Sequence, residues 1–112
     1  MDSILNSIKK LLGITEDYKH FDPDIIIHIN SVFFTLNQLG VGPEDPFIIE
    51  DESATWDEFS PDGDVEAVKS YVGLKVKLLF DPPTHGSLMS AIQEQIKEYE
   101  WRLNVQVDPG KE

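Results

Sequence analysis

Val65-Glu66-Ala67-Val68-Lys69-Ser70-Tyr71-Val72-Gly73-Leu74-Lys75-Val76-Lys77-Leu78-Leu79-Phe80-Asp81-Pro82-Pro83 reads in two ways. Its valines suit a strand, but a continuous strand of this length would be well beyond the ~5–6 residues of an average one. The spacing decides. Val65, Val68, Val72, Val76 and Leu79 recur every three or four positions, and Tyr71, Leu74 and Leu78 form a second row beside them. This predicts a helix that begins near Asp62 or Asp64 and runs to Phe80. Asp81-Pro82-Pro83 ends it, since a residue before proline avoids the α region and proline has no amide hydrogen to donate.

The apolar stretches on either side have the same period. A first helix is expected from about Asp2 to Leu12, capped by Asp2 or Ser3, with Ile4, Leu5, Ile8, Leu11 and Leu12 as its stripe and Gly13 as its stop. Lys9 and Lys10 in its last turn complement the helix dipole. A second helix starts at Asp22 as N-cap with Pro23 at the first helical position, and continues through Ile25, Ile26, Ile27, Ile29, Val32, Phe33, Phe34, Leu36 and Leu39 to Gly40. Its apolar residues exceed one stripe, so it is either central or covered on a second face by another chain. The last helix spans roughly Ser87 to Asn104, with Leu88, Ile92, Ile96, Tyr99 and Leu103 in register. The expected fold is all-α: a small bundle of four helices in one domain over residues 1–105, followed by a short polar tail at 106–112. With 112 residues there is material for one core only.

Val41 to Pro61 joins the second helix to the third. Phe47-Ile48-Ile49 can form a short extended piece and Ser53 to Phe59 one helical turn. A connection of this length inside a small domain is functional or disordered, and Phe47, Trp56 and Phe59 argue against disorder. These aromatics either fold back onto the bundle or await a partner.

Charge is distributed unevenly. Acids outnumber Lys and Arg by 21 to 9, giving a formal net charge of −12. No Lys or Arg lies between Phe21 and Val68, while ten acids crowd between Glu44 and Glu66. Such a chain does not wrap nucleic acid by neutralising phosphates. Without cysteine there is no disulfide, thiolate metal site or thiol nucleophile. His20, His28 and His85 lack ligand spacing, and Asp24 four residues before His28 reads as a structural pair. From Asp62 the twelfth position of a calcium loop falls on Gly73. No nucleophile elbow and no glycine-rich phosphate loop is present, so neither an enzyme nor a cofactor is expected. No apolar run is long enough for a membrane span, and Met1-Asp2-Ser3 does not open a signal peptide, so a soluble intracellular protein is expected.

What remains are surfaces. Trp101 falls outside the main stripe of the last helix and either covers a neighbouring helix end or anchors an interface. The order of features resembles a known family. Ile4 to Ile14 is followed by Phe21-Asp22-Pro23-Asp24-Ile25-Ile26-Ile27-His28-Ile29-Asn30, then Leu36-Asn37-Gln38-Leu39-Gly40-Val41-Gly42, the loop with Trp56 and Phe59, the helix ending Phe80-Asp81-Pro82-Pro83, and Glu100-Trp101-Arg102-Leu103-Asn104. This pattern is similar to the small head–tail connector (adaptor) proteins of tailed bacteriophages and prophages of Gram-positive bacteria.

The resemblance implies a helical virion protein, assembled in the host cytoplasm, that forms a homo-oligomeric ring beneath the portal after DNA packaging. Such a ring extends the DNA channel and carries the stopper or tail, and DNA passes without specific binding. It places Tyr99 to Val107, with Trp101 and Arg102, nearest the portal, and Phe47, Trp56 and Phe59 toward the ring or the next component. Glu50, Asp51, Glu52, Asp57 and Glu58 are then candidates to face the channel, where carboxylates repel phosphates. An acidic regulatory protein that mimics DNA is the alternative reading, and a small acid–base enzyme a more distant one.

Overall fold

The computed structural model describes residues 3–60 and 65–107, with side chains as far as Asn104. It contains α1 (Ile4–Leu12), α2 (Asp22–Gln38), α3 (Trp56–Phe59), α4 (Val65–Phe80) and α5 (Gly86–Val107). Among the described residues there is no strand, so the all-α expectation holds. Besides the four expected long helices there is α3, a helical turn within the expected Ser53–Phe59 stretch, and its Trp56 and Phe59 fold back into the core. The residues Asp62 and Asp64, offered as the start of the third long helix, lie outside the described residues, as do 108–112 of the expected 106–112 tail, whose first two residues belong to α5. The backbone of α5 continues to Val107, past the expected end at Asn104.

Local chemistry explains the ends of the helices. Ser3 caps α1 by accepting from the Asn6 amide at 3.2 Å. Gly13, at φ 81°, closes α1, with the Gly13 and Ile14 amides returning to the Lys10 and Lys9 carbonyls. Gly40 closes α2 in the same manner, its amide and that of Val41 reaching Asn37 and Leu36. Pro23 sits in the first turn of α2, but Phe21, not Asp22, occupies the N-cap position.

Asp22 has another task. Lys9, expected in the last turn of α1 as a partner of the helix dipole, lies there and is completely buried. Its Nζ donates to the carbonyls of Glu16 at 3.0 Å and Tyr18 at 2.7 Å, and lies 2.8 Å from Asp22 Oδ1. The ammonium thus fastens the 13–22 connection over the end of α1. An ammonium inside a protein is tolerated only when its donors and charge are matched in this way.

The centre of the fold is α4, which packs against α1, α2 and α5. Val68, Tyr71, Val72 and Val76 are buried there with Ile4, Leu5 and Ile8 of α1 and Ile25, Ile29, Val32, Phe33 and Leu36 of α2. Leu79, expected on the same face, is half exposed, while its neighbours Leu78 and Phe80 pack against the core. Helices α2 and α4 run antiparallel, since Phe80 at the end of α4 meets Phe21 at the start of α2 edge-on, with ring centroids 5.3 Å apart. Ile92, Ile96 and Leu103 seat α5 on this core, and Asn104 reaches the Leu39 carbonyl beyond α2 at 3.4 Å. The molecule measures 45 × 36 × 19 Å, so it is about two helices thick, at ~10 Å each.

Candidate interaction surfaces

Between Glu44 and Phe59 the acidic segment is tied to α1 and α2 as a ledge. Asn30 of α2 holds its backbone from both sides, Nδ2 donating to the Ile49 carbonyl at 3.0 Å and Oδ1 accepting from the Ile49 amide at 2.8 Å. Asn37 donates to the Glu44 carbonyl at 2.9 Å. At the other end Thr55 forms an isolated antiparallel bridge with Ser3, and the Ile4 amide donates to the Ala54 carbonyl. Thr55 and Glu58 form a capping box on α3, with the Thr55 amide donating to Glu58 Oε1.

Of the expected contact residues here, Phe47, Trp56 and Phe59 come together, but inwards. Their rings gather around Phe33, Phe59 stacking at 4.9 Å and Phe47 and Trp56 meeting it edge-on. Trp56 and Phe59 are buried, and Trp56 Nε1 donates to Ser7 Oγ at 3.2 Å. Both rings spend their surface within the subunit, so the outer face of the ledge is made by other residues. Gly42, at φ 92°, allows this closure, because a Cβ there would lie 2.5 Å from the Phe59 ring.

The five acids offered as channel-facing, Glu50, Asp51, Glu52, Asp57 and Glu58, are all exposed. Two are engaged locally. Glu58 caps α3, and Asp51 accepts from the Ser53 hydroxyl and amide, which hold its carboxyl below the ordinary range. Beside them Ile48 points out, 66% exposed, while its neighbour Ile49 is buried. The outer face of α2 carries Ile27 and Phe34, 66% and 53% exposed and two turns apart.

The residues expected on α5 separate onto two faces. Trp101 projects outward, 68% exposed, beside Arg102, which pairs with Glu98 one turn earlier. Tyr99 is half-buried and turns the other way, toward α1 and α4. Between these faces Tyr71 of α4 donates to Glu100 Oε2 at 2.8 Å. Burial first, then the bond to this carboxylate and its negative charge, raise the Tyr71 phenol above its ordinary range.

Tyr99 belongs to a groove that spacing along the chain does not reveal. It holds about 790 Å³ between α1 and α4, with Gln95 and Tyr99 of α5 at one side. Leu11, Gly73 and Leu74 supply apolar surface, while Lys10, Lys69 and Lys77 bring positive charge beside the carboxylates of Glu16 and Glu66. Three of the nine basic residues of a strongly acidic chain therefore share one concavity. The only sequence signal for it was the restriction of Lys and Arg to the two ends of the chain.

Among the described residues no cluster of His, Asp or Glu could hold a metal ion. His28 meets the ring of Phe80 instead of pairing with Asp24, and His20 packs edge-on to Phe21. No helix among the described residues is long and apolar enough to cross a membrane. No curated protein and no solved structure matches the chain. A family model does: that of the phage connector protein, over residues 4–110.

Proposed function

The chain belongs to the phage connector family, structural components of the head–tail junction, and from that premise we propose that copies of it close into a ring between portal and tail or stopper. In this reading the ring extends the DNA channel, DNA crosses it without specific binding, and α5 around Trp101 and Arg102 docks on the portal. The observation that carries it is the large apolar surface left outside the subunit: Trp101, Ile27, Ile48 and Phe34 are each more than half exposed. Large aromatic and aliphatic side chains on different faces of one thin subunit suit a head-to-tail contact, in which two unlike surfaces must match. The acids of the ledge support a channel role, since an array of carboxylates repels passing phosphates.

The deciding experiment is cryo-electron microscopy of the virion together with binding of the purified chain to portal. A ring of this protein at the portal, with the exposed α3 acids Asp57 and Glu58 turned toward its axis, is expected. A ring with these acids all on its outer rim overturns the channel assignment, and absence from the particle overturns the ring.

A further inference from the structure

Resting on the ring reading, we infer that neighbouring subunits join by seating the acidic ledge of one copy in the lysine-bearing α1–α4 groove of the next. Charge complementarity identifies the occupant. The groove gathers Lys10, Lys69 and Lys77 against Glu16 and Glu66, with Lys69 3.7 Å from Glu66, so Lys10 and Lys77 carry its positive excess, and the ledge belongs to a stretch that has no Lys or Arg from Phe21 to Val68. Glu50 and Glu52 make no ion pair or hydrogen bond among the described residues, so their carboxylates are available to a neighbour. Lys10 is likewise without an ion pair there, and Lys77 has only an exposed contact with Asp81 at 3.4 Å, the kind of pair that exchanges at little cost.

Shape agrees with charge. Ile48 stands out between the buried Ile49 and the half-buried Phe47, and its side chain matches the apolar wall of Leu11 and Leu74. The Asn30 clamp on Ile49 fixes the backbone that presents Ile48, so little ordering is required on contact. The groove volume of about 790 Å³ lies within the ~300–1,000 Å³ of pockets that enclose a ligand of several groups. Ledge and groove are unlike surfaces of the same chain, as a closed head-to-tail ring requires.

The test is a charge exchange. Lys10→Glu with Lys77→Glu reverses the groove, and Glu50→Lys with Glu52→Lys reverses the ledge. Each reversed chain should keep its helical circular dichroism and associate with itself about tenfold or more weakly in sedimentation. An equimolar mixture of the two, and a chain carrying all four changes, should recover association. A second measurement avoids altering charge: the chain has no cysteine, so Ile48→Cys and Leu11→Cys chains, mixed, should form the mixed disulfide in preference to either self-pair. Reversals that leave association unchanged, or that are not rescued by exchange, overturn the groove contact while a ring seen on the particle still stands. Wild-type chain that never self-associates and is absent from the particle overturns both.

Discussion

Lys9 shows how far one residue can depart from what its position along a helix suggests. Two basic residues in a last turn read as dipole partners, and Lys10 remains at the surface, but Lys9 is enclosed by the 13–22 connection. That enclosure depends on a chain path that spacing does not encode. Lys9→Met should lower unfolding free energy by about 3 kcal/mol in urea titration, because it leaves Asp22 and two carbonyls without their donor. Adding Asp22→Asn should return part of the loss. Tyr71 gives a pH signature. Its phenol titrates above its ordinary range in the folded chain, so its contribution is complete below pH ~10 and is lost as pH rises from there toward the folded value. The stability advantage of wild type over Tyr71→Phe should therefore be constant near neutrality and shrink in alkaline unfolding curves.

The long helices were legible because their apolar periods, Pro23, Gly13 and Gly40 are local signals, and the structure uses each of them. Asp22 misled as an N-cap because a short acid before a proline fits that role locally, whereas its partner, Lys9, lies on another helix. The acidic segment was legible only in part. Its aromatics indicated order, but the choice between folding back and facing outward depended on Phe33 as a common anchor and on the Asn30 clamp, both far away in sequence. Asn30→Ala should free both backbone groups of Ile49 at a cost of about 1–3 kcal/mol. Hydrogen exchange should then quicken across the ledge while the α4 amides remain protected. The α1–α4 groove left almost no trace in the sequence, since Lys10 and Lys77 are brought together by packing alone.

At the scale of the molecule, a plate 19 Å thick has a high proportion of surface to interior, and several large apolar side chains remain outside. Trp101 offers a test that distinguishes folding from assembly, since a side chain 68% exposed contributes little to the subunit's own stability. Trp101→Ala should shift the thermal midpoint by no more than a few degrees while weakening portal capture about tenfold or more. Equal loss of both would make this ring a structural element of the subunit. The enclosed Lys9 amine has a use at this scale too. An acylating reagent can reach it only when the 13–22 connection lifts from α1, whereas Lys10 beside it is open to modification in the folded chain. The ratio of labelling at these adjacent positions is therefore a built-in gauge of how often the end of α1 comes undone, and of whether incorporation into a particle holds it shut.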